Sequence, residues 1–179
     1  DASEEKLVSM SLKAFADETS SESPAPGGGS ISAYVGALGI ALAGMVANLS
    51  SHKRGWDARW KEFSDVADQA EELKKQLIRM VDEDTRAFNR IMDAFGLANG
   101  SPEEKAARKA AIQEATRYAI EVPFKVMQLS ASTLTIIHQM ADQGNPNSVS
   151  DAGVGALCAR TAVMGAWLNV KINCAGYED

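Results

Sequence analysis

Asp84 falls three residues after Val81 and four before Phe88, on a stripe that is otherwise apolar. Residues at those steps share one face of a helix, so the carboxyl points where a core should be. A carboxylate in such a place must be paired, hydrogen-bonded or protonated. Two readings stand. Asp84 is either a general acid or base tuned by burial, or a structural aspartate tied to a helix end or an arginine. The second candidate is the run Ser23-Pro24-Ala25-Pro26-Gly27-Gly28-Gly29-Ser30. Proline fixes φ and glycine frees it, so this is a shaped loop. Backbone N–H groups of a glycine turn and a helix start can converge on one anion. The expected ligand is therefore acidic or phosphate-like, with Ser30 as the expected cap. No Gly-Lys-Ser/Thr follows the glycines and no strand-like run precedes them, which excludes a Walker A loop and a dinucleotide fingerprint.

Other side chains carry two readings each. Lys53 and Arg54 close an apolar helix before Gly55; they either cap its end in water or hold an anionic tail. His52 beside them is a proton shuttle or a surface histidine. Asp151 follows Ser150 at a helix start, where the helix dipole alone favours an acid. Asn169 and Asn173 lie four apart on one face, as readers of heteroatoms or as interhelical links. His138 has no partner at metal-ligand spacing, and no metal site is expected.

These residues must be positioned by helices, because no stretch reads as a convincing strand. The first helix is expected over Ser3–Thr19. A second begins after Ser30, and Ile31–Leu49 carries no charge and many small residues. Its Ala33, Ala37 and Ala41 leave a smooth face for close contact. A third spans about Asp57–Leu97, with an apolar stripe from Trp60 and Phe63 through Leu73, Leu77 and Val81 to Phe95. The fourth opens on Ser101-Pro102-Glu103-Glu104, a cap, a first-turn proline and a capping box. Pro123 is expected to break or kink it, with a further segment over Phe124–Gln143. The last helix is capped by Ser148 or Ser150 and resembles the second in its small residues over Ala152–Val170.

The chain has 179 residues, enough for one domain with a sizeable core. Its 18 basic and 24 acidic residues give a net charge of -6, which argues against nucleic acid as the main partner. Cys158 and Cys174 form no C-x-x-C pair and fit a reduced, cytoplasmic setting. Ile31–Leu49 is long enough to span a membrane. Its alanines and glycines, Ser32 and Asn48, and Arg160 within the matching last helix favour two buried helices in a bundle or dimer. No membrane partner is expected.

Taken together, the sequence resembles the cyclodeaminase/cyclohydrolase family of folate enzymes. The matching motifs are Pro24-Ala25-Pro26-Gly27-Gly28-Gly29-Ser30, Val81-Asp82-Glu83-Asp84 with Ala87-Phe88, and Ser101-Pro102-Glu103-Glu104-Lys105. Gln113-Glu114, Val122-Pro123, Gly144-Asn145, Ser150-Asp151, and Asn169-Val170 with Ile172-Asn173 follow in order along nearly the whole chain. The resemblance implies an all-α bundle of about five long helices, one domain over residues 1–179, working as a homodimer or higher homo-oligomer. It implies a folate site beside the glycine loop. Pro26, Gly27, Gly28, Gly29, Ser30, Lys53, Arg54, Asn169 and Asn173 would bind folate there, and Asp84 and Asp151 would serve catalysis. The implied reaction closes 5-formiminotetrahydrofolate to 5,10-methenyltetrahydrofolate with loss of ammonia, within histidine degradation. No cofactor is implied, because the one-carbon unit keeps its oxidation level. The resemblance further implies a fused formiminotransferase domain before Asp1 and a polyglutamylated substrate, and the family's C-terminal helix is expected to be missing after Asp179. Methenyltetrahydrofolate cyclohydrolase activity and a catalytically silent assembly module are the alternatives.

Overall fold

The computed structural model describes residues 6–178, which form five α-helices and no strand. They are α1 (Leu12–Thr19), α2 (Gly28–Ser51), α3 (Trp60–Phe95), α4 (Pro102–Gln143) and α5 (Val149–Cys174). Short 3-10 turns precede α1, α3 and α5. α2 runs through the middle, packed on α3 and α5 and touching α4, while α4 bridges α3 and α5. Phe63, Leu77 and Val81 of α3, Ile40 and Val46 of α2, and Val126, Ile137 and Met140 of α4 are buried together.

Small residues set the α2–α5 contact. The two helices run antiparallel, bringing Gly28 to Asn169, Gly36 to Ala162 and Gly39 to Gly155. A Cβ on Gly39 would lie 2.9 Å from the Gly155 carbonyl, and one on Gly155 would lie 2.8 Å from the Gly39 carbonyl. Backbone thus meets backbone, and dispersion between closely spaced atoms replaces the large side chains these helices lack. α2 is long and apolar enough to cross a membrane, yet 56% of its most apolar window is buried inside the bundle.

The fourth helix starts as its capping box dictates. Ser101 Oγ accepts from the Glu104 N–H at 3.1 Å, and Glu104 Oε2 accepts from the Ser101 N–H at 3.0 Å. Several other expectations fail, each for a physical reason. The long first helix is replaced by a 3-10 turn at Leu7–Ser9 and the short α1, because Ser11 caps a new start by accepting from the Ala14 N–H. Ser3 lies outside the described residues. α2 ends at Ser51, so Lys53 and Arg54 sit in the turn beyond it, where Gly55 takes φ 87°. At the ends of the α3 stripe, Trp60 and Phe95 are 59% and 50% exposed, since a 36-residue helix outruns the bundle face it packs on. Ser148 takes the cap position of α5 without a side-chain hydrogen bond.

Pro123 neither ends nor splits α4, which is continuous over 42 residues. A helical proline lacks the N–H that would bond the carbonyl four residues back. That carbonyl belongs to Ala119, and Asn173 Nδ2 from α5 donates to it at 2.8 Å. The orphaned acceptor is satisfied from a neighbouring helix. Asn173→Ala is expected to lower stability by about 1–2 kcal/mol, read as a shift of the urea midpoint at constant slope. In a Pro123→Ala background, which restores the N–H, the loss should shrink.

Candidate active site

Glycine allows the first turn of α2 to lie directly on Asp84. Gly27 is the N-cap residue, with extended backbone at φ -103° and ψ -169°, and Gly28, Gly29 and Ser30 form the first turn. A Cβ on Gly29 would fall 2.0 Å from Asp84 Oδ1, so the position admits only glycine while the carboxyl stays where it is. None of these glycines has a positive φ. They are needed here for close approach rather than for turn conformation. Ser30 is no cap. Its Oγ donates to Asp84 Oδ2 at 2.9 Å and lies 3.1 Å from the Val81 carbonyl. The Ser30 N–H also favours the charged form of the Asp84 carboxyl.

At this helix start the chain places its own carboxyl, with the Ser30 hydroxyl holding Asp84. Burial pushes the Asp84 pKa above its ordinary value and outweighs the Ser30 hydroxyl and N–H, which pull it down. A carboxyl of this kind can release a proton to a basic nitrogen and take one back.

The raised pKa has a thermodynamic consequence. The folded chain holds the Asp84 proton more tightly than the unfolded chain does. The linked stability is present below the unfolded pKa and is lost as pH rises through the folded value. Asp84→Asn removes that loss. At neutral pH the variant should melt no lower than wild type, and its relative advantage should fall as the pH drops through the carboxyl range. Calorimetry of both proteins from acid to neutral pH reads this directly.

Beside the carboxyl is a hollow of about 150 Å³, lined by Pro24 and Gly27–Gly29, by Asp84, Thr85 and Phe88 of α3, and by Asn169 and Asn173 of α5, among others. This is about the volume that accepts one six-membered ring. Asn169 Nδ2 donates to the Gly165 carbonyl at 2.9 Å, and Asn173 Nδ2 to Ala119, so each amide orientation is fixed by a backbone acceptor. Their Oδ1 atoms remain as acceptors. With a carboxyl nearby, the hollow favours ligands rich in N–H groups or bearing positive charge.

One chain brings together Gly27, Gly28, Gly29, Ser30, Asp84, Asn169 and Asn173; Pro26 lies within the same loop. It does not bring Asp151, Lys53 or Arg54 there. Asp151 precedes Asn169 by eighteen residues on α5, about 27 Å at the helical rise. Lys53 and Arg54 lie past the far end of α2, which is about 36 Å long. Lys53 Nζ instead sits 4.4 Å from the Trp56 ring centroid, and Arg54 is exposed. Larger grooves beside His52 and His138 contain no buried ionisable group. No cluster of three metal-ligating side chains exists among the described residues. Sequence reasoning passed over Thr85 and Phe88 as site residues, although both flank Asp84 within one turn.

The formiminotransferase-cyclodeaminase family profile matches residues 11–179. The chain is 38% identical over 168 residues to a methenyltetrahydrofolate cyclohydrolase of Methylorubrum extorquens, covering 94% of this chain and 81% of that protein. It is 36% identical over 176 residues to the formimidoyltransferase-cyclodeaminase of Rattus norvegicus, covering 98% of this chain but 32% of the rat protein, about a third of its length. The crystal structure of formiminotetrahydrofolate cyclodeaminase from Thermotoga maritima has the same fold. Its TM-score is 0.84 at 29% identity, with 97% of this chain and 83% of that chain covered.

Proposed function

Since the chain belongs to the formiminotransferase-cyclodeaminase family, we propose that it closes 5-formiminotetrahydrofolate to 5,10-methenyltetrahydrofolate and releases ammonia. The observation that carries this reading is a half-buried carboxyl of raised pKa, fixed by Ser30 at the mouth of a ring-sized hollow.

In this reading N10 attacks the protonated formimino carbon and closes a five-membered ring. The N10 proton passes to the Asp84 carboxylate as the new C–N bond forms. The tetrahedral carbon then carries an amino group, which is a poor leaving group until protonated. Asp84 returns the same proton to that nitrogen, the C–N bond breaks, and ammonia departs. Charge balances, since a cationic amidine becomes a cationic methenyl product. A nearby carboxylate stabilises both cations, most strongly where water is scarce. The proton shuttle needs no second acid, so Asp151 has no step at this end of the bundle.

A specific observation favours a second reading. The cyclohydrolase of Methylorubrum extorquens is 38% identical and is matched over most of its length. Hydrolysis of the methenyl bridge uses the same ring and the same carboxyl, with water as nucleophile. Following methenyltetrahydrofolate absorbance with formimino substrate, and separately its decay with the methenyl compound, distinguishes the two. Ring closure faster than enzyme-accelerated hydrolysis supports the cyclodeaminase, and the reverse supports the cyclohydrolase.

Assembly into a homodimer belongs to the same reading. Leu38, Met45 and Leu49 of α2 and Leu157, Met164, Leu168 and Ile172 of α5 stand exposed at helical spacing, an apolar surface suited to a second copy. Sedimentation equilibrium tests it, a monomer at all concentrations being the contrary result. The cytoplasm and a polyglutamylated substrate complete the proposal. In this proposal Lys53 and Arg54 receive the distal end of such a tail.

A further inference from the structure

Thr85 Oγ1 is buried and has no hydrogen-bond partner among the described residues. A helical threonine ordinarily turns its hydroxyl to the carbonyl four residues back. For Thr85 that carbonyl belongs to Val81. It already receives the α3 ladder bond, and Ser30 Oγ stands 3.1 Å from it. Thr85 makes no bond to that carbonyl. The other orphaned hydroxyl, Ser130 Oγ, is buried in the core against Gly36. Thr85 instead lines the hollow beside Asp84.

An unsatisfied buried hydroxyl lowers stability, and satisfying it is favourable by comparison. We infer that Thr85 is a ligand-binding residue, its hydroxyl completed by a nitrogen or oxygen of the bound folate ring next to the reacting centre. A helical threonine populates two χ1 rotamers, which gives the hydroxyl a short route into the hollow. The inference rests on the folate reading above and deepens it, assigning one contact of the ring portion rather than of the glutamate tail.

Thr85→Val keeps the shape and deletes the hydroxyl; Thr85→Ser keeps the hydroxyl. The probe is 5-formyltetrahydrofolate, titrated by calorimetry, with thermal melting of each ligand-free protein alongside. Thr85→Val should melt at or above the wild-type temperature, because an unpaired polar group has gone. It should bind the probe about two- to tenfold more weakly, the loss expected for one neutral hydrogen bond. Thr85→Ser should bind within about twofold of wild type on the same scale. A Thr85→Val protein that binds as tightly as wild type overturns the role of Thr85 alone. So does one that melts well below wild type, since the hydroxyl would then be paired in the free protein. A wild-type protein that does not bind the probe overturns the folate reading, and this inference with it.

Discussion

Asp84→Asn should slow ring closure by about 10²–10⁴-fold, the usual cost of losing a positioned acid or base. Asparagine keeps the shape and can still accept from the Ser30 hydroxyl, so the first turn of α2 has no cause to move. It cannot carry the proton from N10 to the departing nitrogen, and it offers no charge to the cationic amidine. The loss should therefore fall mainly on kcat, with normal helical circular dichroism and no fall in melting temperature at neutral pH. A stable variant with little activity would match a site that trades stability for chemistry. Turnover at the wild-type rate would assign Asp84 a structural role.

Gly29→Ala should be nearly as damaging by a different route. The added methyl would occupy space 2.0 Å from Asp84 Oδ1 and 2.5 Å from its Cγ. Either the carboxyl rotates away or α2 withdraws from α3. Overpacking of this kind costs about 1–3 kcal/mol. Misplacing a reacting group by about 1 Å costs about 10²-fold in rate. Gly28→Ala is the control one residue away. Its methyl would stand 3.4 Å from Asn169 Nδ2, an ordinary van der Waals contact. The cause can be isolated by combining substitutions. In an Asp84→Ala background the carboxyl is gone, so Gly29→Ala should lose most of its effect on stability. An equal cost in both backgrounds would place the clash elsewhere.

Features that depend on neighbours in sequence are legible in the chain alone. The capping box at Ser101–Glu104, the left-handed Gly55 and the interior position of Asp84 all follow from local spacing. The burial of two small-residue helices follows as well, whereas their pairing with each other is a feature of the fold, where α2 and α5 meet through glycine and alanine. Features that depend on distant residues are not legible. Ser30 meets Asp84 across 54 positions, and Asn173 meets the Ala119 carbonyl across another 54. The first contact sets the chain's own carboxyl against the glycine loop. The second removes the reason for Pro123 to end a helix. Helix length separates what motif order suggests is one site, since Lys53, Arg54 and Asp151 gather at the far end from Asp84. The stripe of α3 turns Asp84 inward but gives no sign that Thr85 beside it is left without a partner.

The account rests on Asp84 as the proton carrier, and the pH dependence of single-turnover ring closure tests it most directly. With enzyme in excess over 5-formiminotetrahydrofolate, the appearance of methenyl absorbance reports the chemical step free of product release. The wild-type rate should follow a protein ionisation above the ordinary carboxylate range, the direction in which burial pushes Asp84. That inflection should be absent from the residual rate of Asp84→Asn. The same inflection at the same pH in both proteins would contradict the account, because the group that titrates would then be another one.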